Sequence, residues 1–195
     1  MALREANVTG TRRVLACAWR ANAKVIHVST MGFLPEGYGE VREVPTNSLI
    51  PRSGYAQSKW VAEELVWQAM DSPGVPAVVV RPGTVAGHPS TGATNRQDAL
   101  SILLLGLVQL GKVALGPGSP LPPGFNLVPI DFVVDALVAL VEGRTFQGPL
   151  HLCAPKALSM ATLCEWLGSA GYEACLKLRR LRGSDCWDAC YVVFP

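Results

Sequence analysis

KVIHVST occupies Lys24 to Thr30, and SGYAQSKWVAEELVWQAM occupies Ser53 to Met70. The first is short, apolar and β-branched without alternation, the pattern of a strand buried on both faces of a parallel sheet. The second spaces Trp60, Glu63, Glu64 and Trp67 for the two faces of a helix. Working outward, Arg4 to Arg20 has a helical pattern, with Val8, Thr11, Leu15 and Ala18 recurring at three or four residues. Met31 to Arg52 is a long loop rich in Gly, Pro, Asn and Glu. VPAVVVR, Val75 to Arg81, is a second buried strand closed by Pro82-Gly83. Gly83 to Gln97 is expected to be loop and Asp98 to Leu110 an apolar helix. GPGSPLPPG, Gly116 to Gly124, reads as a lid or linker. A strand over Leu127 to Ile130 leads to a helix capped by Asp131 and running to Glu142. Leu150 to Cys153 is a strand, Ser159 caps a helix to Ser169, and Tyr172 to Leu176 is expected as a last strand. Strands alternating with helices imply βαβ units and a mostly parallel sheet.

The composition narrows the function classes. The chain has 195 residues, of which 49% are hydrophobic and 16% charged. That length suits about one domain, and the low charge argues against disorder. A net charge of +2 is too small for nucleic-acid binding by counterion release. The basic cluster Lys177, Arg179, Arg180 and Arg182 reads as a solvated segment. The most apolar run, Ala99 to Leu110, is shorter than the ~20 residues of a bilayer span, so a membrane role is not expected. Met1 to Asn7 has no apolar signal region, so a cytoplasmic location and free thiols are expected. Cys17 stands apart from Cys153, Cys164, Cys175, Cys186 and Cys190, no CxxC pair occurs, and His27, His88 and His151 are scattered. No metal site is expected from these spacings.

Three residues stand in an order that carries chemistry. The first strand ends in Ser29-Thr30, and the following helix presents Tyr55 and Lys59 at i and i+4, on one face. Ligands of α/β sheets bind at the C-terminal ends of parallel strands. A carbonyl accepting hydride develops negative charge on oxygen and needs a donor there. A phenol, with a pKa near 10, donates poorly at neutral pH. A nearby ammonium stabilises the phenolate. A hydroxyl beside it can hold and polarise the carbonyl. The GxSxG elbow of α/β-hydrolases is absent.

The chain resembles the extended short-chain dehydrogenase/reductase family over HVST (His27 to Thr30), SGYAQSKWVAEEL (Ser53 to Leu65), VVVRPGTVAG (Val78 to Gly87) and VPIDFVVDAL (Val128 to Leu137). ANVTGT, Ala6 to Thr11, resembles the helix before the catalytic strand. YAQSKWVAEELV, NRQDALSILLLGLVQLG and HLCAP are most similar to thioester reductase domains of nonribosomal-peptide and polyketide synthases and of carboxylic acid reductases. The resemblance runs from Leu3 to Leu176. It implies Thr30, Tyr55 and Lys59 as the catalytic set. Tyr55 and Lys59 would also hold the cofactor, and the backbone at Arg81, Pro82 and Gly83 would lie against the nicotinamide. Asn7 matches a position near the active site. The implied reaction takes hydride from NADPH to an acyl thioester carried on the phosphopantetheine of a carrier domain. It gives an aldehyde and a free thiol.

The expected fold is α/β, a Rossmann-like and mostly parallel sheet with a small C-terminal substrate-side lobe. The sheet is expected to lack its N-terminal cofactor-binding strands. A dinucleotide fold opens with a GxGxxG-type turn, and none follows a predicted strand here. Thr30 also arrives too early for two βαβ units of ~30 residues to precede it. Residues 1–176 are thus expected to be part of a thioester reductase-like NAD(P)-binding domain, with 177–195 a divergent tail. Two other readings follow: a non-catalytic remnant that associates through an exposed sheet edge, or a relative acting on a nucleotide sugar or steroid.

Overall fold

The computed structural model describes residues 3–34, 43, 45, 51, 53–111, 125–143 and 148–172. The expected lid at 116–124, the last strand at 172–176 apart from Tyr172, the basic cluster and the tail 177–195 lie outside the described residues. So do Cys175, Cys186 and Cys190.

A π-helical segment, Arg4–Thr9, runs directly into helix α1, Gly10–Ala21. Then come β1 (Val25–Val28), α2 (Gly54–Asp71), β2 (Ala77–Pro82), β3 (Thr84–Ala86), α3 (Ala99–Leu110), β4 (Leu127–Pro129), α4 (Ile130–Val141), β5 (Leu150–Leu152) and α5 (Met160–Ser169). Strands β1, β2 and β5 form one parallel sheet in the order β1-β2-β5, and β3 pairs with β4 in a second, also parallel. Strand β3 lies where the sequence reads as loop: three residues directly after Pro82-Gly83 are too few to show a period. Asp131 sits in the first turn of α4 rather than at its cap, which is Pro129, and its Oδ1 accepts from Phe132 N at 2.9 Å. Ser53, Asp98 and Ser159 do cap α2, α3 and α5, accepting from Ala56 N, Ser101 N and Thr162 N.

Two compact units emerge. The first contains the described residues of Met1–Thr91 and Leu127–Pro155; the second contains those of Gly92–Asn126 and Lys156–Pro195. In the first, β2 is the central strand, and Val78 to Pro82 are all buried. Successive side chains of a strand point to opposite faces. Val78 and Val80 accordingly join Val128, Leu152 and the α4 residues Val133 and Leu140. Val79 joins Leu15 and Ala18 of α1, Val66 of α2, and Val75. Each such aliphatic side chain contributes about 1.5–3 kcal/mol on burial. Lys24 donates to the C-terminal carbonyl of Leu140 at 2.9 Å, tying the start of β1 to α4. In the second unit, Leu107 of α3 packs with Met160, Leu163 and Cys164 of α5, and an antiparallel bridge pairs Phe125 with Leu158.

Among the described residues, no helix is long and apolar enough to cross a membrane. No group of three His, Cys, Asp or Glu among them could hold a metal ion.

Candidate functional site

The site begins with the cap of α2. Ser53 Oγ accepts from Ala56 N at 3.1 Å, which starts the helix so that Tyr55 lies in its first turn and Lys59 one turn later. Tyr55 is 48% exposed. Lys59 is half-buried, and its Nζ donates to Val28 O, the last residue of β1, at 2.6 Å. Burial pushes the Lys59 ammonium below the ordinary lysine range, opposed by the charge of Glu63.

Thr30 follows β1 closely. Its Oγ1 accepts from Gly32 N at 3.0 Å, which leaves the hydroxyl hydrogen to be donated elsewhere. The turn after it is clamped to α2, because Phe33 and Leu34 are buried with Ala56 and pack against Met31 and Trp60. Met31 N also donates to Pro82 O at 3.1 Å, and Gly83 N donates to Leu152 O at 2.9 Å. These contacts gather Thr30, Tyr55, Lys59, Pro82 and Gly83 around the C-terminal ends of β1 and β2. Asn7 joins from the π-helical segment, where its Nδ2 donates to Ser58 Oγ at 2.9 Å. Ser58 Oγ in turn donates to Tyr55 O at 2.7 Å.

Arg81 is placed differently from its neighbours. Its side chain is fully buried and turns to the α2 side of the sheet, as does Val79 two residues earlier. There Nε lies 3.2 Å from both carboxylate oxygens of Glu63, and Nη2 also bonds Oε1. Trp67 Nε1 donates to the same Oε1 at 3.1 Å. The guanidinium stands 5.4 Å over the Phe33 ring, a cation–π contact. Burial alone would raise the Glu63 carboxyl. Arg81, with smaller help from Ser29 and Trp67, instead holds it below the usual carboxylate range. Ser29 Oγ, itself buried, lies beside this carboxylate without closing a hydrogen bond of ordinary geometry.

Two histidines border this layer. His151, in register with Arg81, places Nε2 3.1 Å from Arg81 Nη1. Arginine can only donate, so Nε2 accepts and the ring is neutral. Burial and the Arg81 charge lower the His151 pKa, against Glu43, whose Oε1 accepts the His151 backbone N–H at 2.6 Å, and against Glu63. His27 on β1 is lowered to about 4 by burial and by Lys59, with Glu63 opposing. Its Nε2 has no hydrogen-bond partner among the described residues.

The sequence reading singles out Thr30, Tyr55 and Lys59 by type and order and takes their roles from the family resemblance; in the fold Lys59 binds Val28 O, two residues before Thr30, and Tyr55 lies one turn before Lys59 on α2. The same reading counts Glu63 only among the residues spaced for the two faces of a helix and misses the buried pair. A signal was available: an arginine ending an unbroken buried apolar run needs an internal counter-charge.

A family of NAD-binding domains described as male sterility protein matches residues 1–137. The chain is 38% identical over 183 residues to the glycine betaine reductase ATRR of Emericella nidulans, covering 88% of this chain and 14% of that protein. It is 33% identical over 180 residues to a linear gramicidin synthase subunit from Brevibacillus parabrevis, covering 88% of this chain and 3% of that protein. Among solved structures, the terminal R domain of the myxalamid PKS-NRPS biosynthetic pathway superposes with a TM-score of 0.76 at 35% identity, over 91% of this chain and 44% of that one. The chain therefore spans a small part of these curated relatives and less than half of the solved domain. With the match covering well over half of its length, the chain belongs to the male sterility NAD-binding family, as a thioester reductase-like member of the extended short-chain dehydrogenases.

Proposed function

We propose that this chain is part of a reductase that converts a carrier-bound acyl thioester to an aldehyde with NADPH. The observation that carries the reading is the Lys59–Val28 hydrogen bond, which seats an ammonium, one helical turn from Tyr55 on α2, at the strand end that leads to Thr30. The relatives named as a reductase, a gramicidin synthase component and an R domain support thioester or carboxylate reduction as the class. Tyr55 and Lys59 offer a hydroxyl and an ammonium, suited to the hydroxyls of a nicotinamide ribose. The Pro82-Gly83 backbone, without a bulky side chain at Gly83, suits a flat ring. Residues 1–176 are read as the part of the domain that carries this chemistry, with 177–195 a divergent tail.

When held by Tyr55, Lys59 and the Pro82-Gly83 backbone, the cofactor would supply hydride to the thioester carbonyl carbon. Thr30 donates its hydroxyl hydrogen to the carbonyl oxygen and orients it. Tyr55 gives its proton to that oxygen as negative charge develops, and Lys59 stabilises the phenolate left behind. The resulting hemithioacetal expels the carrier thiol and leaves the aldehyde. Tyr55→Phe removes only the proton donor. In a polypeptide joining this chain to a nucleotide-binding half, it is expected to abolish NADPH oxidation by an acyl thioester. Turnover equal to the parent's would overturn the assignment.

A second reading, a non-catalytic module that associates through its sheet edge, is favoured by one observation. Strand β1 ends the order β1-β2-β5, and its Val28 is 40% exposed. Sedimentation separates the readings: an active enzyme that stays monodisperse at all concentrations excludes the second.

A further inference from the structure

The ion pair beneath α2 has no part in the proton and hydride chemistry above, yet it lies one helical turn from Lys59. We propose that Glu63 is a positioning residue, fixed by Arg81 so that its carboxylate is the buried negative charge that favours the Lys59 ammonium, which Val28 O holds in place. The proposal rests on the reductase reading for its purpose, and on the geometry alone for its test.

Four observations support it. First, Glu63 is 1% exposed and Arg81 0%, so neither is a solvated surface charge. Second, the carboxylate cannot swing away. Arg81 grips both oxygens from β2, and Trp67 Nε1 binds Oε1 from the next turn of α2. Third, Lys59 and Glu63 are i and i+4 on α2, the spacing at which opposite charges face each other. Fourth, the partners of Arg81 border the site. Phe33, under the guanidinium, belongs to the cluster that clamps the turn after Thr30 onto α2. His151 fixes the opposite edge of Arg81 from β5.

The charge balance around Lys59 gives the pair a task. Among the described residues, the charged and titratable groups that act on Lys59 are Glu63 on α2 and His27 on β1, with Arg81 on β2 bound to Glu63. His27 is neutral near pH 7 and is itself held down partly by Lys59. Glu63 is the one negative charge in this set. Burial works against the Lys59 ammonium, and Glu63 works for it. Stability alone would not select this arrangement, because a buried ion pair is often no better than a well-packed apolar pair of similar volume.

The test follows the Lys59 ammonium by NMR in the full chain with lysine labelled at Cε, the signal being assigned with Lys59→Met. Two variants are compared with the parent: Glu63→Gln, and the double variant Glu63→Met/Arg81→Met, which replaces the pair by apolar side chains. Both are expected to lower the Lys59 titration midpoint by about one pH unit, a tenfold loss of the charged form at a fixed alkaline pH. The double variant is expected to keep the parent's cooperative thermal unfolding, and Glu64→Gln, changing the adjacent carboxylate, to leave the midpoint where it is. A Lys59 midpoint unchanged in the folded double variant would overturn the proposal, as would an equal shift in Glu64→Gln. None of these readouts requires turnover. Failure of the reductase reading, seen as Tyr55→Phe keeping full activity, is thus distinguished from failure of this one.

Discussion

The two faces of β2 follow opposite rules. Toward α4 the strand presents Val78 and Val80 to an apolar cluster with Val133, Leu140 and Leu152. Toward α2 it presents Val79 and then Arg81, and Arg81 meets Glu63, His151 and the Phe33 ring. The apolar face gains from water exclusion and is tolerant of which aliphatic residue fills it. The charged face gains little net stability, because desolvation of both ions offsets most of their attraction. Its contacts are directional, and they end at the elements carrying Thr30, Tyr55 and Lys59. One face of a single strand holds the fold together, while the other fixes the geometry of the candidate site.

The largest expected effect comes from breaking the charged face on one side only. Arg81→Met leaves Glu63 buried without its counter-charge and is expected to cost about 3–5 kcal/mol in urea unfolding. A loss below about 1 kcal/mol would show that Glu63 reaches water and that the two faces do not differ as described. On the apolar face, Leu140→Ala is expected to cost about 3 kcal/mol through lost burial and a cavity. Unlike Glu63→Gln, it should leave the Lys59 titration midpoint untouched.

The comparison also has a pH signature. His27 is neutral in the fold, with its pKa lowered from 6.5 to about 4, so the unfolded chain takes up a proton first as pH falls. Stability is therefore expected to decline as pH drops from about 6.5 towards about 4. His27→Gln should make the urea midpoint fall less steeply over that window, the remainder belonging to His151, whose pKa is also lowered. The Glu63 carboxyl, held below the usual range, acts in the same direction but lower. Its contribution is present above the ordinary carboxylate pKa and is lost as pH falls through the folded value, so it survives His27→Gln and disappears in Glu63→Gln. The smallest effect is at the cap of α2: Ser53→Ala is expected to cost about 1 kcal/mol. Because the same cap sets the first turn that bears Tyr55, Ser53→Ala should reduce turnover more than a cap change at Ser159 does.

Strand β2 was legible in the sequence because both of its faces are buried, which leaves an uninterrupted apolar run, and β1, only half-buried with Val28 exposed, was legible because its residues are nearly all apolar and β-branched. Strand β3 was not legible, since three residues joined to β2 through Pro82-Gly83 carry no period of their own. Asp131 illustrates a different limit. Its type suits a cap, but Pro129, with extended backbone, takes the cap and starts the helix two residues early. For the site, Thr30, Tyr55 and Lys59 could be named because their chemistry constrains type and spacing together. Glu63 could not, because a glutamate on a helix reads as a solvated face until the fold shows which strand lies beneath it.

The central claim is reduction at the Tyr55–Lys59 site, and a single-turnover experiment with deuterium at the transferable position of NADPH tests it most directly. The substrate is an acyl thioester on a phosphopantetheine carrier, and the protein tested is a polypeptide joining this chain to a nucleotide-binding half. The account predicts an aldehyde bearing one deuterium at its carbonyl carbon, one free thiol released per aldehyde, and neither product with Tyr55→Phe. Unlabelled aldehyde, or labelled aldehyde formed equally well without the Tyr55 hydroxyl, would contradict it.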